Sequence, residues 1–522
     1  MGVRSQAYVV LFTAVALGLL APGDAAGQQA WIIDVQGAPF SLYDPSVFER
    51  PFGEGPYLAA VLPPFLHRPI DDLGARPGAA AMAMGGAHTA LAAGPLAMAW
   101  NPAGLAGMRA SQVAVDGFSL SSSGSAGDLP DTLIIPGFGD FGISGYRSAL
   151  GSSSGFGFFG AATPLVFLGG RPLVGGACYR RHTEVAYGQE NLIEMNLLQT
   201  TSGFPLNLGI DNDERGFIES YTLGLGYELI ASSRLGLSVG ATANVLSGRL
   251  RSSSLTRVAV RNFAEGHGQY RQDYKGFAAE FGAQARFGSL LRLGGWVGLP
   301  HTLEVYGSRL VDLPLISPDQ LVTYRFHWEI ADYDMELPLF ATLGAAVGPI
   351  KGIEIAADYN HRPWSEVEIK HRDEAFQQFD GLLPAGDVSS YHVGGHFEFP
   401  LLRGFIHRAG MELTTLVGYR TMPLSMLEID LQAGTAPHYR GDQVEGTATT
   451  FGFLLDTGRN VSFSLGFEMR SYDYTMWFMN DARELGTLEE PGRDLWFRDE
   501  ARRVMSVSRD DTILRFSSEL TF

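Results

Sequence analysis

The stretch from Gly74 to Met108, GARPGAAAMAMGGAHTALAAGPLAMAWNPAGLAGM, decides how the rest of the chain is read. After Arg76 it carries no charged residue until Arg109, which is the hydropathy signature of a membrane span. Gly85-Gly86, Gly94-Pro95 and Asn101-Pro102 interrupt it at intervals too short for an unbroken helix of about 20 residues. Backbone freed by such breaks cannot face lipid, because each unsatisfied amide there costs several kcal/mol. The segment must therefore lie inside protein or line a cavity.

The remainder of the chain shows what could enclose it. Arg4, the apolar run Ala7–Leu20 and the small residues that follow to Gly27 have the layout of a secretory signal peptide. The expected organisation is a signal peptide over 1–27, an N-terminal extension with the apolar segment over 28–110, and a β body over 111–522. The 522 residues include 65 Gly and one Cys, Cys178, which excludes an intramolecular disulfide framework and a cysteine zinc site. A formal charge of −18 gives no basic stripe for phosphates and argues against nucleic acid.

Period-two alternation dominates the β body. Tyr221, Leu223, Leu225, Tyr227 and Leu229 share one face, with Thr222, Gly224, Gly226 and Glu228 on the other. Leu235 to Val245 and Val461 to Met469 alternate in the same way. Such runs are longer than soluble strands and match the 9–11 residues needed to cross a bilayer at a tilt. Tight links fall at Leu168–Arg171, Ala231–Ser233, Gly288–Leu290, Pro349–Gly352, Leu402–Gly404 and Asp456–Asn460. Long polar links fall at Gly188–Gly216, Gly248–Gln269, Gly307–Met335, His371–Ser389, Thr421–Glu445 and Asp473–Ser508. Short turns alternating with long loops characterise outer-membrane barrels. Six hairpins and one strand at each end predict an all-β transmembrane antiparallel barrel of about 14 strands.

The last strand places Thr512, Leu514, Phe516, Ser518, Leu520 and Phe522 on one face. It resembles the amphipathic closing strand of bacterial outer-membrane proteins, whose terminal Phe is read by the barrel-assembly machinery. Phe522 is thus the expected assembly signal. Trp296, Tyr306, Trp364, Tyr419, Tyr472, Tyr474 and Trp477 near strand ends suggest an interfacial aromatic girdle. Glu228, Arg286, Glu354, Asp358, Glu468 and Arg470, on the inward face, are expected to pair across the lumen.

A lumen of about 14 strands is too wide for its own side chains to fill, so the apolar segment is suited to plug it. Met84-Gly85-Gly86-Ala87 and Trp100-Asn101-Pro102-Ala103-Gly104-Leu105 resemble the plug motif of the FadL/TodX family of outer-membrane transporters for hydrophobic compounds. The likeness extends more loosely to the PorV-like branch. Leu299–Glu304, Tyr391–Gly395 and Arg408–Glu412 echo the same family. The resemblance implies 14 strands with a luminal hatch, and passive uptake of long-chain fatty acids or hydrocarbons released sideways through the wall. Gly85, Gly86, Asn101, Pro102, Ala103 and Gly104 are the expected hatch and gate residues. The expected partners are outer-membrane lipid and lipopolysaccharide, a hydrophobic small-molecule ligand and the assembly machinery, with a monomer favoured. The PorV-like alternative is an accessory or shuttle in protein secretion or surface attachment.

Enzyme motifs are weak. Gly151–Gly155 fits G-x-S-x-G without the strand-to-helix turn a nucleophile elbow needs. Gly137–Gly142 and Gly155–Gly160 fit G-x-G-x-x-G but open no helix in a βαβ unit. In a barrel, Gly alternating with Phe is expected to turn its aromatics outward. Asp211–Glu214 reads as a solvated loop rather than a calcium site, and the histidines show no zinc-ligand spacing. No cofactor, metal or catalytic residue is expected.

Overall fold

The computed structural model describes residues 31–36, 76–127 and most of 132–522; the segments left out include 1–30, 37–75, 399–410, 431–437 and 478–503. The expected signal peptide and the tight link at Leu402–Gly404 lie outside the described residues.

Fourteen antiparallel strands close on themselves. In chain order they are β1 Gln112–Gly127, β2 Ser152–Leu168, β3 Arg171–Leu197, β4 Phe204–Ala231, β5 Leu235–Val260, β6 Asn262–Phe287 and β7 Leu291–Gly298. They continue as β8 Phe340–Ile350, β9 Ile353–Arg362, β10 Val388–Glu398, β11 Glu412–Thr421, β12 Gly446–Asp456, β13 Val461–Trp477 and β14 Val504–Thr521. Closure is direct: β14 pairs with β1 from Thr521↔Gln112 to Ser506↔Gly127. Each of the other tight links expected from sequence joins neighbouring strands.

The alternation obeys the barrel wall. Leu223 and Leu225 face outward, 68% and 50% exposed, while Thr222, Gly224 and Gly226 are buried inward. Leu514, Phe516 and Phe522 of the closing strand are likewise exposed. An outward apolar band over closed hydrogen bonding is what lets strands cross lipid without an edge. The chain is a bacterial outer-membrane type of barrel. No helix among the described residues is long and apolar enough to cross a membrane.

Three expectations need correction. Two of the long links are largely strand: β3 to β6 run 26 to 28 residues, about 90 Å at 3.3 Å per residue, far more than a bilayer needs. Gly307–Met335 is also strand, part of an external hairpin of His301–Ile316 and Leu321–Leu337 that pairs with β6. Polar residues paired across strands read as loops when only hydropathy is followed.

Second, the girdle fails for most of its members. Trp296, Trp364, Tyr472 and Tyr474 are buried, at 6% exposure or less, Tyr306 is half-buried and Tyr419 is outward at 47%, while the Trp477 side chain lies outside the described residues. Third, the Gly–Phe alternation breaks in β2. The register shifts between Asp116↔Phe158 and Gly117↔Phe156, so Gly157 is the extra residue of a bulge. Phe156 stays outward, 70% exposed, and Phe158 turns fully inward.

Candidate functional site

The apolar segment fills the barrel near its short-turn end. It forms a helix α1 over Ala79–Ala83, a turn through Gly85-Gly86, a helix α2 over Ala97–Trp100 and a 3-10 turn over Pro102–Gly107. Nearly all of its side chains are buried. Met98, Trp100 and Leu105 pack with Phe158, Val174 and Ala114 of the wall. Met84, Ala87 and Ala90 pack with Ala346, Ala356 and Leu416.

What seats the plug is a collar of inward glycines. A Cβ on Gly240 of β5 would stand 2.3 Å from the Pro102 carbonyl, and one on Gly282 of β6 2.0 Å from Asn101 Oδ1. Comparable clashes with the plug arise at Gly224, Gly294, Gly394, Gly418, Gly452 and Gly466. The wall therefore gives up side chains wherever plug backbone approaches. Within the plug, Gly85 and Gly86 have φ of 67° and 80°, a region that suits Gly, and a Cβ on Gly85 would meet the backbone of Tyr419 at 2.8 Å. Gly104 lies so close to Ala92 that a Cβ would sit 2.1 Å from its carbonyl oxygen.

Polar ties fix the plug in register. The Asn101 amide donates to the carbonyls of Thr89 and Ala283, both at 3.0 Å, and its Oδ1 accepts from the Ala103 amide at 3.2 Å. This residue caps the 3-10 turn while joining plug to wall, and Pro102 follows at its first position. The Gly78 and Ala79 amides donate to Asp116 (3.1 Å) and Ser517 (2.7 Å). The His88 and Thr89 amides donate to Asp358, at 3.0 and 2.8 Å. Burial, helped by the charge of Arg76, pushes the His88 imidazole down to about 4, so it is neutral at physiological pH.

The inward charges do not pair across the lumen as the sequence suggested. Asp358 serves plug amides, Glu228 pairs with Arg109 at 2.9 Å, and Glu354 faces Arg292 (3.6 Å) and His396 (3.4 Å). Glu468 binds Arg420 of β11 and Arg470 of its own strand, while Arg286 is exposed. Neighbouring strands are about 5 Å apart, so local pairing is shorter than any span of the lumen.

Directly outward of the plug lies a belt that sequence reasoning missed. Arg180 of β3 pairs with Glu280 of β6 at 3.2 Å. Glu280 also accepts from Trp296 Nε1 (3.1 Å) and Thr242 (3.3 Å). The guanidinium carbons of Arg76 and Arg362 stand 4.4 and 5.1 Å from the Trp296 ring centre, cation–π distances. Beyond it an apolar layer gathers Leu246, Tyr274, Phe340 and Trp364 with Leu303 and Met335 of the external hairpin. Only the three-dimensional convergence of five strands and the plug makes the belt visible.

Serine and histidine do meet inside the barrel. His182 Nε2 lies 2.9 Å from Ser220 Oγ, and an Arg180 nitrogen is 2.9 Å from His182 Nδ1. A second Arg180 nitrogen donates to Nε2 at 3.3 Å, so guanidinium donors reach both ring nitrogens. A triad sets a carboxylate on Nδ1 to hold the imidazole; here a guanidinium nitrogen of Arg180 takes that place. Among the described residues, no group of three or more His, Cys, Asp or Glu could hold a metal.

Neither a protein-family model nor a curated protein matches this sequence. Solved structures do. The Pseudomonas putida toluene transporter TodX aligns over 86% of this chain and 99% of its own, at 15% identity and a TM-score of 0.52. A FadL homologue of Pseudomonas aeruginosa covers 85% and 98%, at 11% identity and a TM-score of 0.49. The Ralstonia pickettii toluene transporter TbuX covers 85% and 98%, at 13% and 0.47. The PorV-like likeness has no counterpart among these three. With its closed ring of fourteen strands, the chain has the fold of the TodX transporter.

Proposed function

We propose that this protein is an outer-membrane channel for passive uptake of hydrophobic small molecules, gated by its N-terminal plug. The observation that carries this reading is the stack inside the barrel: an apolar layer on the external side, then a plug of Gly, Ala and Met closing the path. A hydrophobic solute gains about 25 cal/mol for each Å² it buries in such a layer. A general porin would instead keep a polar, water-filled lumen. The proteins TodX and TbuX, which share the layout, are toluene transporters.

Sideways release is supported by the wall beside the plug. The β2 bulge at Gly157 and a second register shift in β3, between Arg181 and Thr183, interrupt neighbouring strands. Ladder bonds lost at bulges leave this part of the wall with fewer ties between its strands. The gate is Gly85-Gly86 and Asn101–Gly104, which lie against strand backbone at Tyr419 and Ala283.

The test is uptake by outer-membrane vesicles. The full chain is expected to speed entry of a hydrophobic probe several-fold over empty vesicles while excluding small sugars. Deleting Gly85–Gly104 is expected to admit those sugars. If the full chain passes sugars as fast as the deletion does, the segment is no plug and the reading fails.

A further inference from the structure

We propose that the outer wall of β4, β5 and β6, just above the lipid band on the external side, is a phosphate-binding site for lipopolysaccharide, centred on Arg215, Arg251 and Arg271. The site faces the surrounding leaflet and does not depend on what passes the plug.

Strand register stacks these side chains in level rungs. Tyr221, Val245 and Phe277 stand opposite one another at the top of the outward apolar band, all exposed. Successive outward rungs then hold Glu219, Ser247 and Lys275, next Phe217, Arg249 and Asp273, and next Arg215, Arg251 and Arg271. The same length of β6 pairs with the external hairpin, Lys275 with Glu304 and Arg271 with Ser308, which fixes these rungs on the external side. The arginine rung lies about 20 Å along the strand from the apolar limit, or about 15 Å in height at a tilt of about 40°. Its three arginines are exposed, as are Arg249 and Lys275. On β13 and β14 the outward positions beyond Met469 hold Ser471, Asp473 and Asp510 instead, all exposed. In a chain of formal charge −18, the positive excess is local to one side of the wall.

Both acids of these rungs are engaged. Asp273 is shared by Arg249 at 3.0 Å and Arg271 at 2.7 Å. Glu219 accepts from the hydroxyls of Tyr179 at 2.8 Å and Tyr221 at 3.3 Å. Side chains directly opposite on neighbouring strands start about 5 Å apart, and like charges so placed destabilise a sheet. A phosphate set between the arginines turns that repulsion into charge-assisted, bidentate hydrogen bonds matched to the guanidinium fork. Lipopolysaccharide carries phosphates on the sugars of lipid A and of the inner core, directly above its acyl chains. With those chains along Tyr221, Val245 and Phe277, the phosphates rise past Lys275 and Arg249 towards the arginine rung. Tyr179 and Tyr221, edge to face at 5.9 Å, mark the boundary between tail and sugar, as tyrosines do at membrane interfaces.

The test titrates the full chain in detergent micelles with rough lipopolysaccharide, which consists of lipid A and core sugars, and follows bound lipid by native mass spectrometry. It is expected to bind about tenfold or more tightly than the same material stripped of its phosphates, as bonds between charged groups warrant. Combining Arg215→Gln, Arg251→Gln and Arg271→Gln is expected to lower the affinity about tenfold or more, and the three Lys replacements to recover part of it. Arg234→Gln alters an exposed cation in the short turn between β4 and β5, at the opposite end of the wall, and is expected to leave the affinity unchanged. Heat-modifiable gel migration checks that each variant is folded. Equal binding of the phosphate-free material, or full affinity in the folded triple Gln variant, overturns the site. Heparin, a soluble polyanion without acyl chains, supplies the other source of anionic groups. If it binds as tightly as lipopolysaccharide and loses affinity in the same variant, the patch is a general polyanion surface and the lipopolysaccharide assignment is overturned.

Discussion

Single residues set how closely plug and wall approach, and glycine is the clearest case. On β5, Gly236 and Gly240 both face inward, yet they meet different neighbours. A Cβ at Gly236 would find the flexible Arg286 side chain at 3.4 Å, whereas one at Gly240 would strike Pro102 backbone at 2.3 Å. Gly240→Ala is therefore expected to unseat the Asn101–Gly104 turn and raise permeability to small sugars. Gly236→Ala is expected to leave permeability unchanged. Liposome swelling in sugar solutions distinguishes them, and equal rates for both variants would show that the collar does not seat the plug. Asn101 and the Gly85-Gly86 pair were legible from sequence, because an uncharged run broken by turn residues has few places to go. The collar was not, since its glycines are spread over many strands and each alone is indistinguishable from an ordinary inward glycine.

At the scale of the element, the strands were legible and their interruptions were not. Alternation over β4, β5 and β13 gives the correct face for Leu223, Val245 and Phe463. Nothing in Gly155–Gly160 announces which glycine is extra, so Phe158 was assigned to the wrong face; the bulge depends on what Asp116 opposes in β1. The plug as an element carries a pH dependence. The His88 imidazole has an ordinary value near 6.5 and lies at about 4 when the plug is seated, chiefly through burial, and its Nδ1 has no hydrogen-bond partner. A released plug takes up a proton in that interval that the seated one refuses, so seating weakens as pH falls from about 6.5 to 4. Above that window this contribution to seating is fully present. Sugar leakage through the full chain is expected to rise across this interval, and His88→Gln is expected to flatten the rise. A leak that climbs equally in the variant would assign the effect to other groups.

For the whole molecule, closure and filling are separate problems with separate solutions. The ring closes through β14 and β1, with the Phe522 amide donating to the Ser111 carbonyl at 2.9 Å. The Phe522 side chain contributes little to that closure, since it is 71% exposed on the outer face. Its position fits recognition during assembly better than stability afterwards. An exposed phenyl ring in lipid loses little on truncation, because the lipid tail that replaces it is as apolar as the ring. Phe522→Ala is accordingly expected to lower the amount of barrel reaching the outer membrane several-fold. The fraction that does assemble should unfold in guanidinium at a midpoint close to that of the unaltered chain. Refolding from urea into detergent, where no assembly machinery operates, should proceed at the same yield for both. A matching loss of yield in detergent would instead place Phe522 among the residues that hold the closed barrel together, and its exposed position would then need another explanation.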